Sequence, residues 1–585
     1  MEFLCDDAFI TFRCVANAHD GHGLVWNPPP FAPVEGYTSF LWALLLWAVW
    51  EVTGLEPPQT ANALALACSL LSLGVLARCL LRVVTAARAH WVWLGLLAIA
   101  SNRTFVSWCS SGLETALFQL LFVGWILHAC SPASSSLRWW SRWSALAALL
   151  ALTRPDGLLC CAASFAVALV FGASGRLPWR TLGLGLLPLT IVGVHLLWRN
   201  ATYGAWLPNT YYAKVVEAWP AAGLTYFACF AVEHGTWLWL PIAGGAIART
   251  GLRRVAQAAL ARPTTSAAVL TLLAHFAYYT LVVGGDHFDF RVYTHLVPLS
   301  IASAVWWVAR QPVSRWRTLA TSAFLVASGL GWVHLLWTNE LGARGFVPIA
   351  DRLPAVLQPC AREYDRWQAW LRIRLIGLRC SEHRAFLVRQ QQVYPERARR
   401  SLAGTDDLPV HAAWAIGVAG WALPDVAILD QYGLCDRIVA RTVPPPRRPA
   451  LGERQRECMF RVADVDRDGL LSPGELATVV QKCAGASMAG RHDRLVDLVL
   501  ALGRDAAPSL DRAQFATVWP RFGDGRCIAH ERRPPPGYVE ALRPNVEVLD
   551  GSIVVRPRRQ PLGAAEVLAI EASWWRLVHA AAGRR

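Results

Sequence analysis

Lysine is almost missing from this chain of 585 residues: it occurs only as Lys214 and Lys482, although Lys and Arg together number 56. Arginine therefore carries nearly all of the positive charge behind the formal net charge of +15. Such a bias is typical of GC-rich coding. A nucleic-acid-binding surface would need basic residues clustered on one soluble face, whereas many of these arginines lie between hydrophobic runs. We therefore expect no nucleic-acid partner.

Charged residues of both signs are scarce, at 17% of the chain, while hydrophobic residues reach 54% and include 29 Trp. This composition is typical of a polytopic membrane protein with a soluble part. Apolar runs of membrane-spanning length recur between residues 60 and 337, and no such run follows residue 337. The sequence therefore predicts an α-helical membrane half and a soluble C-terminal half.

The apolar runs predict about ten transmembrane helices. The segment 37–54 is also apolar, but it is short and carries Glu51, so we expect it to lie along the membrane interface. The predicted spans are 60–81, 90–106, 112–130, 143–153, 157–173, 181–198, 233–249, 266–284, 293–309 and 318–337.

The arginines predict the orientation of these spans. If 37–54 is interfacial and the N-terminus is outside, the predicted cytoplasmic ends and loops hold fourteen Arg and no Asp or Glu, as the positive-inside rule requires. If 37–54 crosses the membrane, the same arginines face outward. The fourteen are Arg78, Arg82, Arg88, Arg138, Arg142, Arg176, Arg180, Arg249, Arg253, Arg254, Arg262, Arg310, Arg315 and Arg317.

In this orientation the soluble half and five charged motifs of the membrane half lie on the outer face. Polar residues gathered at one end of a helical bundle usually mark a site, although loop capping and salt bridges are the ordinary alternative. The motifs are CDDAFITFR (5–13), SGLETALF (111–118), LTRPDG (152–157), YGAWLPNTYYAK (203–214) and GGDHFDFR (284–291).

Adjacent carboxylates at Asp6 and Asp7 have two common uses at a membrane surface. They can bind a metal ion, or one of them can act as a general base that removes a proton from an attacking hydroxyl. Cationic side chains on the same face would stabilise the phosphate that leaves a lipid-borne donor. These cations are Arg13, Arg103, Arg154, Arg199, Lys214 and Arg291.

The ordered motifs resemble the GT-C superfamily of membrane glycosyltransferases. They are most similar to the mycobacterial terminal β-(1→2)-arabinofuranosyltransferase family and its uncharacterised bacterial relatives. The resemblance covers nearly the whole chain except about 450–520. Its stretches are DDAFITFRCVANAHDGHGLVWNPPPFAPVEGYTSFLW (6–42), GLET (112–115), TRPDG (153–157), LPNTYYAK (207–214), GGDHFDFR (284–291), VAILDQYGLCDRIVAR (426–441) and IAHERRPPPGYVE (528–540).

The resemblance implies an inverting enzyme of a bacterial inner membrane that transfers a sugar from a polyprenyl-phosphate carrier to an outward-facing glycan or other acceptor. It also implies a mixed α/β soluble domain that helps to bind the acceptor, with His530 and Arg532 as candidates. Asp6 or Asp7 would be the base, and the two remain alternatives. Whether the site needs a divalent ion stays open. The implied substrate-binding residues are Arg13, Arg154, Asp156, Asn209, Lys214, Asp286, His287 and Arg291.

The start of the chain departs from the superfamily pattern, in which a transmembrane helix precedes the acidic pair. Here only MEFLC (1–5) precedes it, and such a short segment cannot span the roughly 30 Å of hydrocarbon in a bilayer. We expect either a start codon assigned too late or a lost first helix.

DVDRDGLLSPGE (464–475) fits the twelve-residue calcium loop of an EF-hand. Asp464, Asp466 and Asp468 occupy positions 1, 3 and 5, Leu470 offers its carbonyl at position 7, Ser472 stands at position 9, and Glu475 closes the loop at position 12. The loop 503–514 is the expected partner, but it has Gly503 at position 1 and Gln514 at position 12. The sequence therefore predicts one calcium ion per chain.

The EF-hand segment interrupts two stretches that are continuous in the resembling family, so we interpret it as an insertion at an exposed loop, where insertion costs little. The predicted domains are an outer loop with the acidic pair and interfacial helix (1–59), a transmembrane domain (60–337), a first soluble part (338–449), the EF-hand module (450–520) and a second soluble part (521–585).

Six cysteines fall in the soluble half, which permits three disulfides in an oxidising compartment. Cys360–Cys380, Cys458–Cys483 and Cys435–Cys527 are plausible pairs, and free buried thiols are the alternative. No spacing predicts a zinc site.

Two other functions compete with glycosyl transfer. The first is a non-catalytic calcium-binding membrane sensor or scaffold, which the short N-terminus favours. A transporter would place charged or glycine-broken helices near the middle of the bilayer, whereas here the charges collect at one end of the bundle.

Overall fold

A computed structural model describes most of the chain. The described residues are 3–131, 136–214, 218–331, 349–373, 376–397, 407–442, 470–471, 510–511, 534–549 and 551–582.

The described residues form a mainly helical protein. Its helices are α1 Asp6–His19, α2 Phe40–Thr53, α3 Pro57–Val83, α4 Ala89–Ser101, α5 Arg103–Trp108, α6 Thr115–Cys130, α7 Leu137–Thr153, α8 Leu158–Ala173, α9 Trp179–Leu186, α10 Thr190–Tyr203, α11 Asn209–Lys214, α12 Pro220–Glu233, α13 Thr236–Thr250, α14 Leu252–Ala261, α15 Pro263–Ala277, α16 Leu296–Arg310, α17 Arg315–Gly329, α18 Gln358–Ile373, α19 Cys380–Val393, α20 Gly417–Ala422, α21 Tyr538–Ala541 and α22 Ala564–Ala582. Its strands are β1 Val410–Ala413, β2 Ala427–Asp430, β3 Leu470–Leu471, β4 Leu510–Asp511, β5 Val546–Leu549 and β6 Ser552–Val555.

Five helical stretches among the described residues are long and apolar enough to cross a membrane. Four of them have only 22–33% of their apolar window buried within the protein, so most of their apolar surface is left for lipid, whereas the fifth has 67% buried and lies inside the bundle. This pattern is that of a polytopic helical membrane protein. The four are Pro57–Val83, Pro155–Ala173, Trp179–Tyr203 and Pro263–Val283, and the fifth is Arg291–Arg310.

Each of the ten predicted spans overlaps a described helix, although their total number stays a prediction. Two predicted boundaries were wrong. Segment 90–106 is two helices, because Asn102 ends α4 and its side chain accepts the N–H of Phe105 at 3.1 Å, which caps α5. Helix α7 begins at Leu137, before the predicted start at 143, because the Ser136 side chain caps it.

The acidic pair opens a helix within the segment that the sequence analysis predicts as an outer loop. Asp6 and Asp7 occupy the first turn of α1, where carboxylates favour the positive end of the helix dipole. Residues 8–18 of α1 are all buried. Because α1 is buried all round, it has no polar stripe, and the usual helical periodicity that marks a surface helix is missing from its sequence.

The soluble half is mixed α/β, as predicted. Strands β1 and β2 pair in parallel, with Val410 opposite Ala427 and Ala413 opposite Asp430, and α20 lies between them in the chain. Strands β5 and β6 form an antiparallel hairpin. This unit packs directly on the N-terminal helix, because α1 and α20 are in extensive contact.

A buried arginine joins the soluble half to the membrane half. Arg379, just before α19, donates to Glu233 at 2.6 Å and to Asp289 at 2.8 Å. Tyr364 donates to the same Glu233 carboxylate at 2.6 Å, and Gln368 accepts from Arg379 at 3.0 Å. Four separate elements therefore meet at one guanidinium.

The predicted EF-hand module lies outside the described residues except for two short strands. In these, Leu471 pairs with Leu510 and Leu470 pairs with Asp511 in antiparallel fashion. The ligands Asp464, Asp466, Asp468, Ser472 and Glu475 are not among the described residues.

The predicted Cys360–Cys380 disulfide is not formed, because Cys360 is an exposed free thiol of α18 and Cys380 a buried free thiol at the start of α19. Cys435 is also free and buried. Cys458, Cys483 and Cys527 lie outside the described residues.

Candidate functional site

The N-terminus of α1 is held in place by the loop before α6. The backbone N–H of Cys5 donates to the carbonyl of Ser111 at 3.1 Å. Gly112 has φ +76°, and a Cβ atom there would lie 2.7 Å from the Cβ of Ala8. The loop can approach the helix this closely only with glycine at position 112, so the motifs 5–13 and 111–118 meet at one point.

The side chain of Asp6 bonds to helix α20 of the C-terminal half. Its carboxylate accepts the backbone N–H groups of Gly417 at 3.1 Å and Val418 at 2.9 Å, and thereby caps α20. A Cβ on Gly417 would lie 1.8 Å from the carbonyl oxygen of Asp6, so this contact also requires glycine. Burial raises the pKa of Asp6 to about 6; the N–H of Val418 opposes the rise and the charge of Asp7 adds to it.

Asp7 differs from its neighbour. Its side chain is half-buried and has no hydrogen-bond or ion-pair partner within the part of the chain that the structure describes. The thiols of Cys5 and Cys435 have pKa values well above the usual range, chiefly because they are buried and in part because of the negative charge of Asp7. The Asp7 carboxylate therefore lies within electrostatic reach of both thiols.

An aromatic bridge connects the chain start to the loop 284–291. Trp108 contacts Phe3 and Phe288 edge-on, with ring centroids 6.4 and 5.7 Å apart, and its indole N–H donates to the carbonyl of Asp289 at 2.9 Å. The Arg291 guanidinium lies 4.5 Å above the Phe288 ring. The charge of Arg291 also lowers the pKa of the buried Cys5 thiol, against the effect of burial and of Asp7.

Basic side chains surround Asp286 at this end of the bundle. Its carboxylate accepts from the Arg291 side chain at 2.7 Å. Burial would raise the pKa of Asp286, but Arg291, Lys214 and Arg154 hold it below its ordinary value. Lys214 itself is exposed. The motifs that end at Lys214 and Arg291 are therefore close together.

A second polar cluster surrounds Arg154. Its guanidinium pairs with Asp156 at 3.2 Å and Glu114 at 3.4 Å, and donates to the Tyr279 hydroxyl at 2.8 Å. His275 contacts the other oxygen of Asp156 at 2.9 Å. Four transmembrane-half elements are therefore tied to one ion-pair network.

Arg154 of one cluster and Arg291 of the other line a common small pocket of about 10 Å³. Four nearly fully buried polar atoms on its wall have no hydrogen-bond partner among the residues that the structure describes: Thr115 Oγ1, Gln119 Oε1, His275 Nδ1 and His295 Nε2. Buried polar atoms are almost always hydrogen-bonded, so these atoms mark a place for water or for the hydroxyl groups of a ligand. Its wall residues are Thr115, Phe118, Gln119, Arg154, His275, Arg291, Val292, Thr294 and His295.

Three predicted substrate-binding residues lie elsewhere. Arg13 is buried and donates to the carbonyls of Trp26, Gly420, Leu423 and Val426. Asn209 donates to the carbonyls of Gly433 and Leu434 at 2.9 and 3.0 Å, which ties α11 to the soluble half. His287 packs against His383, with ring centroids 5.0 Å apart. The contacts of Arg13 and Asn209 are structural.

Sequence reasoning missed several residues of the site. Glu114 was within a quoted motif but had no assigned role, and His275, Tyr279 and His295 were taken as parts of apolar spans. His275 and His295 could have been recognised from the sequence, because an ionisable residue within a membrane span is a candidate functional residue by default. His530 and Arg532 lie outside the described residues. Within those residues, no group of three His, Cys, Asp or Glu side chains is placed to hold a metal ion.

No protein-family profile and no curated protein sequence matches the chain. Among solved structures, the chain is similar to the crystal structure of ArnT from Cupriavidus metallidurans in the apo state. The identity is 15%, the TM-score is 0.43, and the match covers 84% of this chain and 93% of the ArnT chain. A likeness of this strength carries no conclusion about chemistry.

Proposed function

We propose that this chain is a membrane glycosyltransferase that moves a sugar from a polyprenyl-phosphate donor to an outward-facing glycan or other acceptor. The single observation that carries the proposal is the side chain of Asp7. Its carboxylate has no partner in the described part of the chain, and it lies within electrostatic reach of the same thiol as Arg291. A carboxylate without a partner can accept a proton as a general base. Cations close to it can stabilise the negative charge of a departing phosphate.

The proposed step uses Asp7 as the base. The acceptor hydroxyl gives its proton to the Asp7 carboxylate, and its oxygen forms a bond to the anomeric carbon of the donor sugar. The bond from that carbon to the phosphate oxygen breaks, and polyprenyl phosphate leaves with the electron pair. Because the acceptor attacks opposite the leaving group, the anomeric configuration inverts. Asp6 holds the base in place, since it fixes the first turn of α1 to α20.

In this proposal the basic side chains bind the phosphate of the donor, and the pocket binds its sugar. Lys214 is exposed beside the Asp286–Arg291 pair, where it can meet a phosphate from the membrane side. Phosphate is favoured by such charges. The unpartnered atoms of Thr115, Gln119 and the two pocket histidines suit hydroxyl groups of the donor or bridging waters.

The proposed orientation follows from the arginine pattern. It places the site and the soluble half on the periplasmic or outer side of a bacterial inner membrane, where lipid-linked sugars serve glycan assembly. Within this scheme the partners are the bilayer, the polyprenyl-phosphate sugar and a glycan acceptor.

Sugar transfer in membranes tests the proposal directly. The chain would be expressed in a bacterial host, and the membranes would receive a panel of polyprenyl-phosphate pentoses and hexoses. We expect transfer of at least one sugar to an added oligosaccharide, measured by mass spectrometry, and none in membranes from cells that lack the gene. A folded protein that transfers no sugar from a panel covering the carrier-linked sugars of its host would contradict the proposal and favour the non-catalytic scaffold.

We further propose that the inserted module binds one calcium ion. The register of β3 and β4 supports this, because Leu471 and Leu510 both stand at position 8 of their loops and face each other. Two loops related by a local two-fold axis must meet at equivalent positions. The ligands would be Asp464, Asp466, Asp468, the carbonyl of Leu470, Ser472 and Glu475, which supply the oxygen donors that calcium prefers.

Calcium titration of the purified full chain tests this second proposal. We expect one ion per chain with a dissociation constant of about 10⁻⁴–10⁻³ M, as for outward-facing modules. The pair Asp464→Ala and Glu475→Gln should abolish binding, because it removes the first ligand and the bidentate one. The matched control is Asp511→Asn in the partner loop, which should bind as the parent does. Two ions per chain, or binding that survives in the double variant, would refute the assignment.

A further inference from the structure

Two aromatic side chains stand at the carboxyl edge of the parallel pair β1–β2. Trp414 follows the last residue of β1 directly, and Tyr432 comes two residues after the end of β2. The ring centroids are 5.1 Å apart and the rings are inclined by 63°. Because the carboxyl ends of parallel strands meet at one edge, both rings emerge at the same place. Ligands of α/β units bind in the crevice outside this edge.

Both rings are open to solvent. Trp414 is 52% exposed and Tyr432 is 38% exposed, whereas most large aromatic side chains of this unit are buried. Neither residue belongs to a described helix that is long and apolar enough to cross a membrane. Adjacent exposed aromatic side chains at such an edge are typical of a binding site.

The loop that carries Tyr432 is firmly held. The Asp430 carboxylate accepts the backbone N–H groups of Tyr432 at 2.8 Å and Cys435 at 2.7 Å. Asn209 of the membrane half binds the carbonyls of the two residues between them. The aromatic pair is therefore fixed relative to the membrane half before any ligand arrives, which lowers the entropic cost of binding.

The pair also adjoins the proposed base. Helix α20 begins three residues after Trp414, and its first two N–H groups bind Asp6. On the other side, the charge of Asp7 reaches the thiol of Cys435, at the end of the Tyr432 loop. Trp414 therefore lies three residues before the helix that Asp6 caps, and the Tyr432 loop ends at a thiol whose pKa the Asp7 charge raises.

We propose that Trp414 and Tyr432 form an aromatic subsite for the acceptor glycan. This inference rests on the proposed function and deepens it. The apolar C–H face of a sugar ring stacks on an aromatic ring, and two rings inclined to each other offer faces to two successive sugar units. The acceptor is therefore an oligosaccharide of at least two units, and binding here brings its terminal hydroxyl to Asp7.

The test uses the full chain and the variants Trp414→Ala, Tyr432→Ala and Trp414→Phe. In the transfer assay, each alanine variant should raise the KM for an oligosaccharide acceptor about tenfold, as loss of an aromatic anchor does. The KM for the donor and the kcat at saturating acceptor should stay close to those of the parent. Trp414→Phe should recover most of the affinity. The matched control is Trp316→Ala, which removes a tryptophan that is 79% exposed at the start of α17 and should change nothing.

A binding measurement separates this inference from the proposed function. Saturation-transfer NMR would record contact between the protein and defined disaccharides and tetrasaccharides of arabinofuranose, mannose and galactofuranose, with no donor present. Binding that is seen in the parent and lost in both alanine variants supports the subsite even if no donor sugar is found. Equal KM or equal binding in parent and alanine variants, with unchanged thermal unfolding, overturns the subsite and leaves the proposed function standing.

Discussion

Replacing Asp7 by Asn is expected to slow sugar transfer by about 10²- to 10⁴-fold, the usual contribution of a general base. The amide keeps the size of the carboxylate but cannot accept the proton of the acceptor hydroxyl. Because no described group bonds to Asp7, the substitution should leave the thermal unfolding of the protein unchanged. Initial rates at saturating donor and acceptor, measured beside an unfolding curve, check both expectations.

The matched control is Asp6→Asn. Its amide oxygen can still accept one of the two N–H groups that cap α20. Since one such hydrogen bond is worth about 0.5–1.5 kcal/mol, we expect a loss of activity of no more than about tenfold. If instead Asp6→Asn abolished transfer and Asp7→Asn retained it, the roles of the two carboxylates would be reversed. Full activity in both variants would remove the acidic pair from the mechanism.

Replacing Arg379 by Met is expected to destabilise the protein by about 3–5 kcal/mol, the usual cost of removing one partner of a buried ion pair. The change leaves the buried Glu233 without a guanidinium partner, and Asp289 keeps only its longer contact with Arg103 at 3.8 Å. Because this network joins α19 to the membrane half, the soluble half should loosen first. Thermal unfolding of the detergent-solubilised chain should begin several degrees lower.

Neutralising Glu233 provides the control. The double variant Arg379→Met and Glu233→Gln should regain a large part of the lost stability, because the Glu233 charge is gone and Asp289 still faces Arg103. Recovery would identify uncompensated charge as the cause. An Arg379→Met variant that unfolds at the temperature of the parent would show that the network does not hold the two halves together.

The sequence predicted the membrane half well, because long apolar runs and clustered arginines are properties of contiguous segments. It also grouped the motifs that the structure brings together around Arg154, Asp286 and Arg291. What it could not do was separate Asp6 from Asp7. Their difference depends on two backbone N–H groups in α20, more than 400 residues further along the chain, and backbone groups leave no trace in a residue pattern.

Other long-range contacts are equally hidden in the sequence. Arg13 was predicted to bind the substrate, and the structure shows that its guanidinium donates to the carbonyls at the end of α20. His275 and Tyr279 were assigned to an apolar span because hydropathy averages over a window and hides single polar residues. Helix α1 was taken as part of a loop because a helix buried on every side shows no amphipathic stripe.

The capping of α20 by Asp6 has a consequence for cotranslational folding. Asp6 is among the first residues to be synthesised, whereas its partners Gly417 and Val418 are synthesised only after most of the chain is complete. Until then the first turn of α1 is held by the loop before α6, through the bond from the Cys5 N–H to Ser111, but the Asp6 carboxylate lacks the two N–H groups that it accepts in the finished chain. In a chain arrested before residue 417, α1 would lack its contact with α20. Synthesis of α20 is therefore a late step in fixing the N-terminal helix.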